Sequence, residues 1–199
     1  MDKPEPKRYR ARRSKEPPPH WRNEIEFVLI SKETIARRVR SLAQQIENDF
    51  AGRDLVIVAL LNGTVVFLAD LLRRLSMPLR LDFIGISSYG SGTESAELVF
   101  TKELRLDVSG RDVLLLDDIL DTGRTLSHVS AKLHRLGPRQ VKTCVLLDKP
   151  ARRVEKIAAD YVGFIIPNHF VVGYGLDFAE RYRNLPFVGV LRPEMYLQP

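Results

Sequence analysis

The 199-residue chain has one cysteine, Cys144, so no disulfide can form within it. Cys144 lies in the apolar run 141–147, where it reads as a small buried hydrophobe and points to a reducing, cytosolic setting. Long apolar runs are also missing. Leu55 to Leu61 is typical of those present and falls far short of the roughly 20 residues that span a bilayer. The N-terminus is basic but has no apolar leader core, so neither secretion nor membrane insertion is indicated. His20, His128, His134 and His169 form no ligand pattern with carboxylates or the cysteine, and none is assigned a role. No repeat of solenoid length is present.

What is present suits one ordinary domain: 44% apolar, 28% charged and 8% aromatic residues exclude a fully disordered, collagenous or low-complexity chain. The formal charge of +6 is unevenly placed. Residues 1–22 hold eight Lys and Arg against three Asp and Glu, which is +5 and leaves +1 for the rest. That stretch also contains Pro17-Pro18-Pro19, whose rings oppose helix and sheet. The expected organisation is a disordered basic tail, 1–22, followed by a near-neutral domain, 23–199. The tail reads as a solubilising extension or as an arm for RNA or an anionic surface. Trp21 beside the prolines reads as a packing anchor.

Ile35, Val39, Leu42, Ile46 and Phe50 recur at helical spacing after Ser31, a capping residue type, so a helix is expected over 31–50. Residues 54–61 predict a strand, Asn62-Gly63 a turn and 64–75 a helix. Further strands are expected at 79–87, 113–117 and 141–147, and a helix at 125–136 stopped by Gly137-Pro138. Residues 88–97, rich in glycine and serine, predict a mobile loop. Continuously apolar strands alternating with helices imply an open α/β domain with a mainly parallel sheet covered on both faces. Short β-type runs at 161–166, 170–172 and 187–191 imply a small hood, formed largely by 160–192.

The chemistry concentrates in Val113-Leu-Leu-Leu-Asp-Asp-Ile-Leu-Asp-Thr-Gly-Arg-Thr-Leu126. Apolar residues lead to the carboxyl end of a buried parallel strand, the edge where open α/β sheets bind ligands. Asp117 and Asp118 stand there side by side. Thr122, Gly123, Arg124 and Thr125 then supply hydroxyls, a flexible glycine, a cation and the amides of a helix start, which together suit a phosphate. The carboxylates suit ribose hydroxyls or a hydrated Mg²⁺. An ordinary N-cap explains one acid, not the three of Asp117, Asp118 and Asp121, whose mutual repulsion would cost stability unless a ligand or metal used them. Asp-Thr-Gly also occurs in aspartic proteases, but their two lobes do not fit this pattern.

Val113 to Leu126 resembles the phosphoribosyl diphosphate (PRPP) motif of the type I phosphoribosyltransferases, and residues 25–192 resemble their hypoxanthine-guanine branch. The resemblance implies their fold, a mainly parallel sheet flanked by helices with a hood. It places Leu61, Asn62 and Gly63 in a diphosphate loop with a cis peptide at Leu61-Asn62, and Ser88-Tyr89 at the opening of a catalytic lid. Lys149 matches the lysine that reads the purine's exocyclic oxygen. Phe170 would stack on the base, Val171 present backbone groups to it, Asp177 hold Mg²⁺ and Arg183 meet the diphosphate. Asp121 would be the general base, Asp117 and Asp118 would orient the ribose, and residues 122–125 would anchor the 5′-phosphate. Two departures stand out: neutral Asn62 where a lysine or arginine is common, and Arg124 where lysine or a neutral residue is usual. The implied function is Mg²⁺-dependent purine salvage from PRPP and hypoxanthine or guanine, with xanthine also open, by a cytoplasmic homodimer or homotetramer. The alternative is a catalytically weak PRPP-sensing regulator that binds nucleic acid through its basic tail or a basic face. A phosphoacceptor receiver domain, suggested by Asp117-Asp118 and Lys149-Pro150, has the wrong order, because its acidic pair should end the first strand.

Overall fold

The computed structural model describes residues 7–8, 16–89 and 97–197. A seven-stranded sheet forms the body, in the order β1 (Lys7–Arg8), β8 (Tyr161–Ile165), β7 (Gln140–Asp148), β6 (Asp112–Leu120), β3 (Leu55–Leu61), β4 (Leu79–Tyr89), β5 (Glu97–Lys102). All neighbours are parallel except β4 and β5, which form an antiparallel hairpin at one edge. β3 and β6 are buried along nearly their whole length, as continuous apolar runs require in a sheet covered on both faces.

One face packs on α1 (Lys32–Asp49) and α2 (Val65–Leu72), the other on α3 (Arg124–Arg135). Ser31 caps α1, its hydroxyl accepting the Thr34 amide at 3.4 Å, and the helix buries Ile35, Val39, Leu42 and Ile46 as their spacing predicts. Arg38 on the same helix is buried too. Its guanidinium donates to the carbonyls of Val162 (2.5 Å) and Gly163 (2.8 Å), so the charge is spent on backbone acceptors of β8.

The hood is a separate three-stranded antiparallel sheet of β2 (Ile25–Ile30), β10 (Val188–Leu191) and β9 (Val171–Val172). Two expectations change here. The run at 161–166 belongs to the main sheet as β8, and the hood instead recruits β2 from the start of the domain. A short apolar run reads the same in either sheet; only pairing distinguishes them. The helix expected over 64–75 is shorter, the strand expected over 79–87 runs to Tyr89, and β5 was not foreseen. Residues 90–96 of the expected lid loop lie outside the described residues.

The tail expected over 1–22 is ordered in its described part. Lys7–Arg8 adds backbone pairing to the edge of β8. Pro17 is buried, and Pro19 opens a single 3₁₀ turn, a position where its fixed φ and missing N–H cost nothing. Trp21 packs on Tyr182 with ring centroids 5.7 Å apart. Glu24 accepts from Arg181 at 2.9 Å and from the Tyr182 hydroxyl at 2.5 Å. A large aromatic and a carboxylate thus tie this segment to the hood despite its prolines.

Candidate active site

β6 outruns its expected end and carries Asp117 and Asp118 within the strand. Asp117 is buried; its Oδ1 accepts the Asp118 amide at 2.9 Å, and Asp118 Oδ1 accepts the Ile119 amide at 2.7 Å. Burial, then the neighbouring Asp118 charge, pushes the Asp117 carboxyl well above the usual carboxylate range. Burial raises Asp118 as well. Such a pair favours a ligand that brings hydroxyl donors or a cation.

The chain then turns through Asp121 and Thr122 to Gly123, which sits at φ +88° before α3, in the left-handed region that glycine enters at little cost. Arg124 N–H donates to Thr122 Oγ1 at 3.4 Å. Thr125 and Leu126 of the first turn of α3 line the space in front of Gly123, and the free amides of a helix's first turn are groups that attract anions. That space is a cavity of about 310 Å³ lined by Leu61, Gly63, Asp117, Asp118, Thr122 and Thr125, among others. Arg124 and Asn62 do not line it, and both are exposed.

A second cavity, about 270 Å³, lies on the hood side and is lined by Lys149, Arg152, Phe170, Val171, Leu176 and Asp177. Asp118, Ile119 and Asp121 line both. Lys149 is buried, with Nζ 4.0 Å from Asp121 Oδ2, and Arg152 Nη1 approaches the same oxygen at 3.5 Å. Burial lowers the Lys149 pKa, Asp121 works against that shift, and Arg152 adds to it. Asp121 Oδ1 is shielded from solvent and has no hydrogen-bond partner among the described residues. An unmet buried acceptor beside two cations is a place for an incoming N–H.

Phe170 is 36% exposed, stacked on Tyr196 at 4.5 Å and 15°, with Phe178 edge-on at 5.5 Å. Tyr196 does not line the hood-side cavity, so its ring backs Phe170 and leaves the cavity face open. Asp177 and Arg183 pair at 3.0 Å, and Arg183 also donates to Gly175 O at 3.0 Å. Arg183 lines neither cavity; it steadies the loop that carries Asp177.

The loop after β3 meets that hood loop at van der Waals limits. Its Leu61-Asn62 peptide is cis. A Cβ on Gly63 would stand 1.7 Å from Asp118 Oδ2, and one on Gly175, at φ +101°, would stand 2.0 Å from the Gly63 carbonyl oxygen. Only hydrogens fit at either position. Ser88 and Tyr89 end β4, paired with Leu98 and Glu97. Sequence reasoning missed Ile119 and Arg152. Ile119 is signalled only by being apolar among three acids, and Arg152 only by following Lys149 in a basic run.

The phosphoribosyl transferase domain family matches residues 30–179. Over 88% of this chain and 98% of its own length, the hypoxanthine-guanine phosphoribosyltransferase of Bacillus subtilis is 43% identical. The chain belongs to the hypoxanthine-guanine phosphoribosyltransferase family. A crystal structure of a hypoxanthine phosphoribosyltransferase from Staphylococcus aureus superposes with TM-score 0.84 and 43% identity, covering 87% of this chain and 95% of that one. The bifunctional protein TilS/HprT of Listeria monocytogenes is 48% identical over 87% of this chain, which spans 27% of that protein's length.

Proposed function

We propose that this chain transfers the 5-phosphoribosyl group of PRPP to a 6-oxopurine, hypoxanthine or guanine, giving the nucleotide and diphosphate. The observation that carries this reading is the sharing of Asp118, Ile119 and Asp121 by a phosphate-type cavity and a base-type cavity. The bond that forms, from a purine nitrogen to C1 of the ribose, belongs at that junction. The bond that breaks, from C1 to the diphosphate oxygen, sends its electron pair to the leaving group. Asp121 takes the purine's imidazole proton on its unmet Oδ1. Residues 122–125 hold the 5′-phosphate, so binding energy remote from C1 fixes its position. Lys149 donates to the 6-oxo group. Against adenine it would face an amino group, donor against donor. The same lysine accepts xanthine, whose 6-oxo group is identical.

The donor set fits Mg²⁺. No three His, Cys, Asp or Glu among the described residues form a cage, while Asp117, Asp118 and Asp177 offer hard oxygens beside the cavities, as suits a cation that arrives with substrate phosphates. Bound there, Mg²⁺ would neutralise charge building on the departing diphosphate. Gly63 offers its amide to that group, which neutral Asn62 cannot attract by charge. No helix among the described residues is long and apolar enough to cross a membrane, and the buried Cys144 thiol supports a cytoplasmic site of action. The resemblance also supports a homodimer or homotetramer.

The test offers PRPP and Mg²⁺ with hypoxanthine, guanine, xanthine, adenine or uracil and quantifies each nucleotide. We expect turnover of the 6-oxopurines alone, falling on the order of 10²–10⁴-fold in Asp121→Ala. Absence of turnover with every base would refute the reading.

A further inference from the structure

Arg153, four residues after Lys149, lines neither cavity, yet its side chain is only 17% exposed. Its guanidinium reaches into the back of the phosphate turn. Nε donates to Asp121 O at 2.9 Å, Nη2 to Leu120 O at 2.9 Å and Nη1 to Ile157 O at 2.7 Å, while Nη2 also pairs with Asp148 Oδ1. A planar fork of fixed donors meets these divergent acceptors; an ammonium on a flexible stem does not.

We propose that Arg153 is a positioning residue that holds the phosphate turn and Asp121 in register with the base-reading Lys149. This rests on the reading given under Proposed function. Leu120 O carries the coupling, because it accepts both the Arg153 Nη2 bond and the Lys149 amide at 3.0 Å. Thr122 O accepts the amides of Val154 (2.9 Å) and Glu155 (3.0 Å). Gly123 is pressed against the same segment: a Cβ there would stand 3.1 Å from Arg153 Cδ and 2.8 Å from Ile157 Cγ2. Movement of the Arg153 stem is therefore felt at Gly123, the residue that opens the anion site. Asp148 fixes the fork from below, being paired in register with Leu120 across β6 and β7. One side chain thus joins the two halves of the site from behind, touching neither substrate.

The experiment compares the wild type with Arg153→Met, Arg153→Lys and Lys156→Met, the last removing a charge from an exposed position of the same segment. Calorimetry with PRPP and Mg²⁺ gives Kd, and initial rates give kcat and the KM of each substrate. Both Arg153 variants are expected to weaken PRPP in Kd and KM and to lower kcat, together on the order of a hundredfold in kcat/KM. The KM for hypoxanthine moves less, lysine restores little, and Lys156→Met behaves as wild type. Wild-type Kd and KM for PRPP in both Arg153 variants, with kcat lost only in proportion to folded protein, would overturn the proposal. So would full rescue by lysine, since charge alone would then suffice. If Arg153→Met does not fold, Arg153→Lys decides by the same PRPP constants. A wild type that binds PRPP without turnover refutes the proposed function while the Kd comparison still decides Arg153; a wild type that binds no PRPP overturns both.

Discussion

The phosphate side of the site and the hood side are built differently. On the phosphate side one contiguous stretch, Asp117 to Thr125, passes from β6 through a glycine turn into α3 and brings its acids, hydroxyls and amides with it. The hood side has no such stretch. It gathers β2, β9 and β10 from opposite ends of the domain, backs Phe170 with Tyr196 near the C-terminus, and is braced by Trp21 from ahead of the first hood strand. A site made by local sequence tolerates change elsewhere; a site made by assembly is exposed to changes in remote segments.

The largest effect expected from this contrast is at the seam between the two sides. Gly175→Ala places a methyl group against the Gly63 carbonyl at a φ of +101°, so one loop must move. We expect kcat/KM for PRPP to fall on the order of a hundredfold, measured by initial rates, while the thermal midpoint falls by the equivalent of about 1–3 kcal/mol.

Next comes Asp82, under the β4–β5 hairpin that leads to the expected lid. Burial opposes its charge, but Lys102 and the amides of Arg105, Leu106 and Phe83 outweigh that and hold its carboxyl well below the usual range. A depressed folded pKa means stability that is fully present above the unfolded carboxylate value of about 3.9 and is lost as pH falls through the folded value. Denaturant melts should show this loss in the wild type. Asp82→Asn should be less stable at pH 7 by about 2 kcal/mol and show less dependence on acid.

A smaller effect is expected at Trp21→Ala. Half-buried, the indole should cost about 1–2 kcal/mol, less than the about 3–5 of a fully buried aromatic. Its activity signature should be a raised KM for the base with PRPP binding intact. An unchanged melt would show that the segment before the hood is not part of it. The smallest effect is Tyr196→Ala. Loss of the stacked partner behind Phe170 should raise the KM for hypoxanthine about threefold, the size expected of one aromatic pair, with Tyr196→Phe restoring it.

The same contrast explains what the sequence made legible. Asp117, Asp118, Asp121 and the turn to Thr125 could be read because strand, glycine and helix start are adjacent in the chain and their chemistry is dense. The α/β order was readable from apolar runs, and α1 from Ser31 and its heptad-like stripe. Assignment of 161–166 to the hood failed because β8 and β9 are both short, buried, apolar runs, and their sheet is decided by pairing with β7 or with β10. β2 was missed differently, since residues 25–30 were assigned to no element. The order at 16–22 was hidden by prolines that oppose regular structure yet suit an extended approach to a 3₁₀ turn. Arg153 was invisible because three of its four acceptors are backbone carbonyls, which carry no sequence signal.

The central claim is that the two cavities joined at Asp118, Ile119 and Asp121 hold the two halves of one ligand. A crystal structure with the product GMP tests it most directly. The account predicts the 5′-phosphate on the amides of residues 122–125, the ribose beside Asp117 and Asp118, and guanine between Ile119 and Phe170 with its 6-oxo group on Lys149. A nucleotide whose phosphate lies elsewhere, or whose base leaves the Phe170 cavity empty, would contradict it.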